Sequence, residues 1–392
     1  MARLFSSGFE LNSTTAGVEF TSISGLIMSI STTTVRSGTY ALRINPSANA
    51  GTLKYQYRGS DTQGDTYIRF YLRIATAADA NRIPFVIEST AGDDLASIRV
   101  NSNNTLELWD DLGGVQVGSD SSALSTDTGY RIELRINDTT AASTNLEARI
   151  DGTSFASGTV DHTGGPFQAV FQLGPSGGAN TFDSFIDDVA INDNSGSFQN
   201  SWPGEGEIIH LRPNATGDNS AWGGTNTDID EVTPDDNTTF INSYTLNETE
   251  DVNLDATPAG LASDDTINCV QVGVRYTRNA ANPASFVVRI KASSGGTVEE
   301  SAAITPPTGC QTNANANPRS YPQTLYDLPG ASTTEWTKTD LDVAQIGARI
   351  STGSVGVTAK ISTLWLLVDH KPAAPAGGAT HPGWQPSKGG WW

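Results

Sequence analysis

The stretch "FIDDVAINDNSGSFQNSWPG", Phe185–Gly204, decides how the chain is divided. Its first half alternates as a strand does, with Phe185, Asp187, Val189 and Ile191 on one face and Ile186, Asp188 and Ala190 on the other. Neither face is purely apolar, so the sequence predicts a strand that is not buried on both sides, with solvated edge or turn aspartates. The second half is loop chemistry, and Pro203 with Gly204 and Gly206 breaks any element. The stretch is therefore expected to close a first domain at about residue 198 and to pass through a linker, 199–206, into a second.

Strand patterns surround it on both sides. "TYIRFYLRIAT" (Thr66–Thr76) places Ile68, Phe70, Leu72 and Ile74 inward and Tyr67, Arg69, Tyr71 and Arg73 outward. "YRIELRIND" repeats the pattern with Ile132, Leu134 and Ile136, and Asp151-Gly152 is a hairpin turn signal. "TLELWDDLGGVQVGS" is another strand pair, closing through Gly113-Gly114. Beyond the boundary, "TINCVQVGVRYTR", "SFVVRIKAS" and "SVGVTAKISTLWLLVDH" are strands, the last ending in an apolar run suited to a covered position. "TKTDLDVAQIGARI" (Thr337–Ile350) is the best helix candidate, starting at a Thr/Asp cap and stopping at Gly347. The expected fold is all-β: an antiparallel sandwich over 1–198, a second over 207–371, and an extended tail, 372–392. That tail is a Pro/Gly/Ala segment ending in Trp384, Trp391 and Trp392, which read as docking anchors on a neighbouring molecule.

Composition agrees with a two-domain β protein: 392 residues, 37% hydrophobic, 17% charged, net charge -20. So acidic a chain is a poor candidate for gripping nucleic acid. The longest apolar run, Leu364–Val368, is too short for a membrane span, and the N-terminus shows no signal-peptide pattern. Cys269 and Cys310 read as reduced thiols, with a bridge between them as the alternative.

Candidate chemistry is sparse. Asp187 and Asp188 are the calcium candidates, although adjacent strand residues point to opposite faces and at most one serves a given site. No other cofactor is expected. Trp109, Asp110 and Asp111 form the one cluster suited to a glycan. A hydrolase would need two carboxylates flanking a sugar, and "TLELWDD" offers only Glu107 before Trp109. His162, His210, His370 and His381 are scattered without metal spacing, His210 and His370 reading as structural; no nucleophile elbow or phosphate loop is present.

"LFSSGFELNS", "VRSGTYALRIN" and "DSFIDDVAINDNSGSFQNSWPGEGEI" together resemble tailed-bacteriophage virion proteins with a concanavalin A/laminin-G-like jelly roll. "LRPNATGDNSAW", "CVQVGVRYTR" and "LWLLVDH" resemble the second domain of the same proteins. The resemblance covers nearly all of the chain up to His370 and implies no catalytic residues. It implies a structural virion component, tail-associated or decorating the capsid surface, in contact with other virion proteins and with copies of itself. The expected protein is not an enzyme, is not inserted in a membrane and is located in the virion. A receptor- or glycan-binding module is the alternative, and a glycan hydrolase a further one.

Overall fold

The computed structural model describes residues 3–373 and 385–386, except 26, 46–50, 81, 176–180, 237, 281, 307–318, 327 and 331. Among these the fold is all-β and antiparallel, and the chain divides between Glu205 and Gly206 into two compact units.

The first unit is a sandwich of two sheets. The eight-stranded sheet runs in the order Thr153–Val160, Thr144–Ile150, Gly129–Asn137, Asp65–Thr76, Asp183–Asp193, Ala41–Ile44, Met28–Ser31, and Arg3–Ser7 also pairs with Asp183–Asp193. The seven-stranded sheet runs Val115–Val117, Leu106–Asp110, Asp94–Val100, Arg82–Glu88, Val170–Leu173, Thr52–Gln56, Ser22–Ser24. Alternation puts one face of every strand into a common core that includes Phe70, Phe85, Phe171, Ile68, Ile98 and Leu134. Asp151 and Gly152 both take positive φ (50° and 83°), the backbone a two-residue hairpin demands.

The strand Asp183–Asp193 corrects the sequence reading. It lies in the middle of its sheet and is buried from Ser184 to Asn192, so it is no edge. The reason is a β-bulge. Asp188 adopts φ 51°, a left-handed conformation that aspartate tolerates, and the register against Asp65–Thr76 slips between Asp187 and Ala190. The slip re-phases the alternation. Ile186, Val189 and Ile191 all enter the core, while Phe185, Asp187, Ala190 and Asn192 stand beside the outward Arg73, Tyr71, Arg69 and Tyr67.

The second unit packs two five-stranded sheets. One holds Glu207–Leu211, Ile241–Ser243, Thr266–Arg278, Arg319–Tyr326 and Ala359–Lys371. The other holds Pro213–Ser220, Thr249–Leu254, Ser285–Lys291, Val298–Glu300 and Gln345–Thr352. Trp365 is fully buried with its ring against Gly273, where any Cβ would collide with the indole. The expected helix shrinks to Lys338–Leu341, capped by Thr337. From Gln345 onward the period-two pattern of Ile346, Ala348 and Ile350 wins, and the chain is a strand filling the core. Cys269 is buried; Cys310, and with it the question of a bridge, lies outside the described residues. So do Trp384, Trp391 and Trp392. Of the tail, Gln385–Pro386 pairs with Thr34–Val35. No helix among the described residues is long and apolar enough to cross a membrane.

Candidate functional site

Three places in the first unit hold charged and aromatic groups together, and they differ in what those groups are free to do. The bulge is the first. Asp187 and Asp188 are fully buried, not solvated. The amides of Arg36 and Ser37 donate to Asp187 Oδ2 (3.0 and 3.4 Å), while Ser37 Oγ and Arg36 Nη1 donate to Asp188 Oδ1 and Oδ2 (2.7 and 2.5 Å). Arg36 lies over the Tyr71 ring at 3.4 Å, and Arg69 Nε donates to the Asp188 carbonyl at 3.1 Å. Glu10 completes the arrangement, its Oε1 accepting from the amides of Thr39 and Tyr40 (2.9 and 3.1 Å). Gly38 has φ 60° and no room for a Cβ beside the Glu10 carboxylate. Burial, then the charges of Asp188 and Glu19, push the Glu10 carboxyl up to about 8; burial and Asp188 likewise raise Asp187. The arrangement fits calcium poorly. The oxygens a cation would need already accept N–H and O–H donors from the Arg36–Tyr40 turn, and no group of three or more His, Cys, Asp or Glu suited to a metal occurs among the described residues.

The second place is the outer face of the eight-stranded sheet. The segment expected as a linker folds back over it. Gly204 donates its amide to Glu133 Oε1 (3.1 Å), Arg69 Nη1 donates to the Gly204 carbonyl (3.4 Å), and Asn192 Nδ2 donates to the Ser201 carbonyl (2.8 Å). Trp202 meets Tyr67 edge to face at 5.3 Å and carries Arg149 over its ring at 3.9 Å. Arg135 forks onto Asp65 with both bonds at 2.8 Å. Segment 201–204 thus covers this face around Tyr67, Arg69, Glu133 and Asn192, while Asn145, Ser157 and Thr159 toward its edge stay exposed.

The third place, the outer face of the seven-stranded sheet, is different. The register aligns Ser22, Lys54, Gln172, Val86, Ser97, Trp109 and Gln116 in one row across all seven strands. Strands spaced at about 4.8 Å make that row about 29 Å long. Trp109 is partly exposed and held firmly: its Nε1 donates to Glu107 Oε2 at 2.6 Å, and the Arg99 guanidinium sits 3.7 Å from its ring centroid. Arg99 also pairs with Asp111 (2.6 Å), and Lys54 with Glu88 (2.5 Å). A fixed indole among amide, hydroxyl and carboxyl groups can meet the apolar face of a small polar ligand while its neighbours meet the polar edge.

Of the predicted cluster, Trp109 and Asp111 come together on this face and Asp110 does not. Asp110 is buried, its Oδ1 meeting His162 Nε2 at 3.0 Å and accepting the Gly113 amide at 2.9 Å. Alternation on a strand accounts for this, because the residue after an outward Trp109 points inward. Sequence reasoning missed Lys54, Glu88, Asp94 and Arg99, which come from three other strands; only the sheet order joins them. In the second unit His370 is buried with Nδ1 3.0 Å from Asp265 Oδ2, and His210 stacks on Trp365 at 5.7 Å. Burial holds His210 well below the usual histidine range.

No family model matches the chain, and no curated protein matches it. Solved structures do. The cellulose-induced protein Cip1 is 16% identical, with a TM-score of 0.36, 48% of this chain and 96% of that one covered. An endo-beta-1,4-glucuronan lyase from the fungus Trichoderma reesei is 14% identical, with a TM-score of 0.36, 48% and 95% covered. A carbohydrate esterase from Shiga toxin-encoding bacteriophage phi24B is 16% identical, with a TM-score of 0.38, 50% and 100% covered. Trypanosoma rangeli sialidase matches over 42% of this chain and 26% of its own, at 10% identity and a TM-score of 0.32. A lyase, an esterase and a sialidase in this company overturn the expectation that the chain is not an enzyme. Likeness at these values transfers no reaction or substrate.

Proposed function

We propose that the first unit binds a glycan on the outer face of its seven-stranded sheet, and that it does so as part of a bacteriophage virion. The observation that carries the glycan reading is the immobilised Trp109. Its ring is fixed by Glu107 and Arg99 before any ligand arrives, so little ordering entropy is lost on binding. Of the row beside it, Gln116 and Lys54 reach the surface while Gln172, Val86 and Ser97 are buried, so the ligand is expected to meet Trp109 and its immediate neighbours. The virion setting rests on the sequence resemblance, with the Trp384, Trp391 and Trp392 tail as an anchor to other virion proteins or to further copies. Calcium is no part of this reading.

The test is a glycan array probed with the full chain, Trp109→Ala and Trp202→Ala. Signals retained by Trp202→Ala and lost by Trp109→Ala support the proposal. Signals insensitive to Trp109, or none at all, refute it. Deleting Gly383–Trp392 should leave both units folded and weaken incorporation into particles; normal incorporation would contradict the anchoring role.

A further inference from the structure

Four backbone amides of one turn, those of Arg36, Ser37, Thr39 and Tyr40, donate to two buried carboxyl groups, Asp187 and Glu10. Gly38 and Thr39 are exposed while the Glu10 carboxyl against Gly38 is buried, so the turn is a cover between these carboxyls and water. Acid is in surplus beneath it. Glu10, Glu19, Asp187 and Asp188 are all buried, and Glu19 accepts from Ser7 Oγ at 3.1 Å. Among the described side chains, the cations packed against them are Arg36, which meets Asp188, and Arg69, which donates to the Asp188 carbonyl; both stand at the Tyr71 ring. Arg3, on the first strand, is engaged with Asn192, Ser6 and Gln199. Four buried carboxyls against two guanidinium groups cannot all ionise without a large desolvation penalty. Burial, opposed by the Thr39 and Tyr40 amides and reinforced by Asp188 and Glu19, accordingly pushes the Glu10 carboxyl up to about 8. The two residues just before the turn, Thr34–Val35, are the ones that Gln385–Pro386 pairs with. So short a pairing has little strength of its own and depends on how its partner strand is held.

We propose that the turn Arg36–Tyr40 is a pH-sensitive latch on the C-terminal tail: with the surplus carboxyls protonated it lies closed and presents Thr34–Val35 to Gln385–Pro386, and as they ionise in alkaline solution it lifts, water reaches them and the tail segment is let go. The charge change sits at Glu10 and Asp187, and the element with two states is the exposed turn above them. The latch is independent of the glycan reading, which uses the other sheet, and it gives the anchoring tail a condition for its release.

The full chain is followed by hydrogen exchange at about pH 6.5 and about pH 9, each rate divided by the intrinsic rate at that pH. A carboxyl that titrates near 4.5 in water and at about 8 under the turn favours the open turn about tenfold more at the higher pH. Protection over residues 36–40 should fall by about that factor, and further where Asp187 adds to it. Protection at Thr34–Val35 should fall with it. In the chain lacking Gly383–Trp392, those two residues should exchange at the lower pH as fast as they do in the full chain at the higher. Glu10→Gln should remove the Glu10 share, and Glu10→Gln with Asp187→Asn should leave protection flat, with the second unit unchanged throughout. Constant protection over 36–40 in the unmodified chain, or the same fall in Glu10→Gln, overturns the latch. So does a Thr34–Val35 that keeps its protection after the turn has opened. If Glu10→Gln does not fold, the infrared band of protonated carboxyl groups in the unmodified chain decides: it should persist at about pH 7 and shrink by about pH 9, and its absence at the lower pH overturns the proposal.

Discussion

The two outer faces of the first unit are built from the same materials and end in opposite states. Each carries arginines, carboxylates and aromatic rings on outward strand positions. On the eight-stranded sheet the chain's own segment 199–205 lies across them, and Trp202 fills the space over Tyr67 and Arg149. On the seven-stranded sheet Trp109 is fixed from one side and stays partly exposed, with Asp111 Oδ2 and Ser97 Oγ lacking partners among the described residues. Type of residue does not separate a packing surface from a binding surface here. What separates them is the segment 199–205, which lies over the eight-stranded sheet.

The comparison can be broken first at the bulge. Asp188→Ala should destabilise the first unit by about 3–5 kcal/mol, because it strands the buried Arg36 guanidinium and puts a non-polar residue at positive φ. Chemical denaturation with separate probes for the two units measures it; a loss confined to the second unit would contradict the account. Trp202→Ala should cost about 2 kcal/mol and speed amide exchange in the segment 199–205, leaving ligand binding unchanged. The pH dependence is comparable in size to the first effect. Glu10 titrates near 4.5 when unfolded and at about 8 when folded. Between those values the folded state holds the extra proton, so stability is greatest at and below pH 4.5 and falls as pH rises through 8. The slope from Glu10 is up to about 1.4 kcal/mol per pH unit, and Glu10→Gln should remove that share while leaving the one from the raised Asp187 carboxyl. A calcium-dependent rise in melting temperature, lost in Glu10→Gln, would instead mean that a cation neutralises this cluster. Least affected in stability is Trp109→Ala, at about 1 kcal/mol.

Strand periodicity made much of this legible. The inward Ile68, Phe70, Leu72 and Ile74, the outward Arg69 and Arg73, and the Asp151-Gly152 turn follow directly from period two. "FIDDVAIND" misled because strict alternation cannot foresee a bulge. One residue in the left-handed region gathers Ile186, Val189 and Ile191 onto one apolar face and leaves Phe185, Asp187, Ala190 and Asn192 on the other, and an apparent edge strand becomes a central one. The Gln345–Thr352 strand was hidden for a related reason: a sound helix cap at Thr337 precedes it, and tertiary pairing ends the helix after one turn. The candidate site was half visible. Trp109 and Asp111 are close in sequence, whereas Lys54, Glu88, Asp94 and Arg99 meet them only through a strand order that no local pattern encodes.

The central claim is that the face carrying Trp109 binds and the face under segment 199–205 does not. Affinity of the full chain for its best array ligand, measured side by side in Trp109→Ala and Trp202→Ala, tests it most directly. A loss of tenfold or more in the former, roughly 1.4 kcal/mol, with the latter unchanged, is the predicted result. Equal affinity in Trp109→Ala, or a loss that appears only in Trp202→Ala, would contradict it.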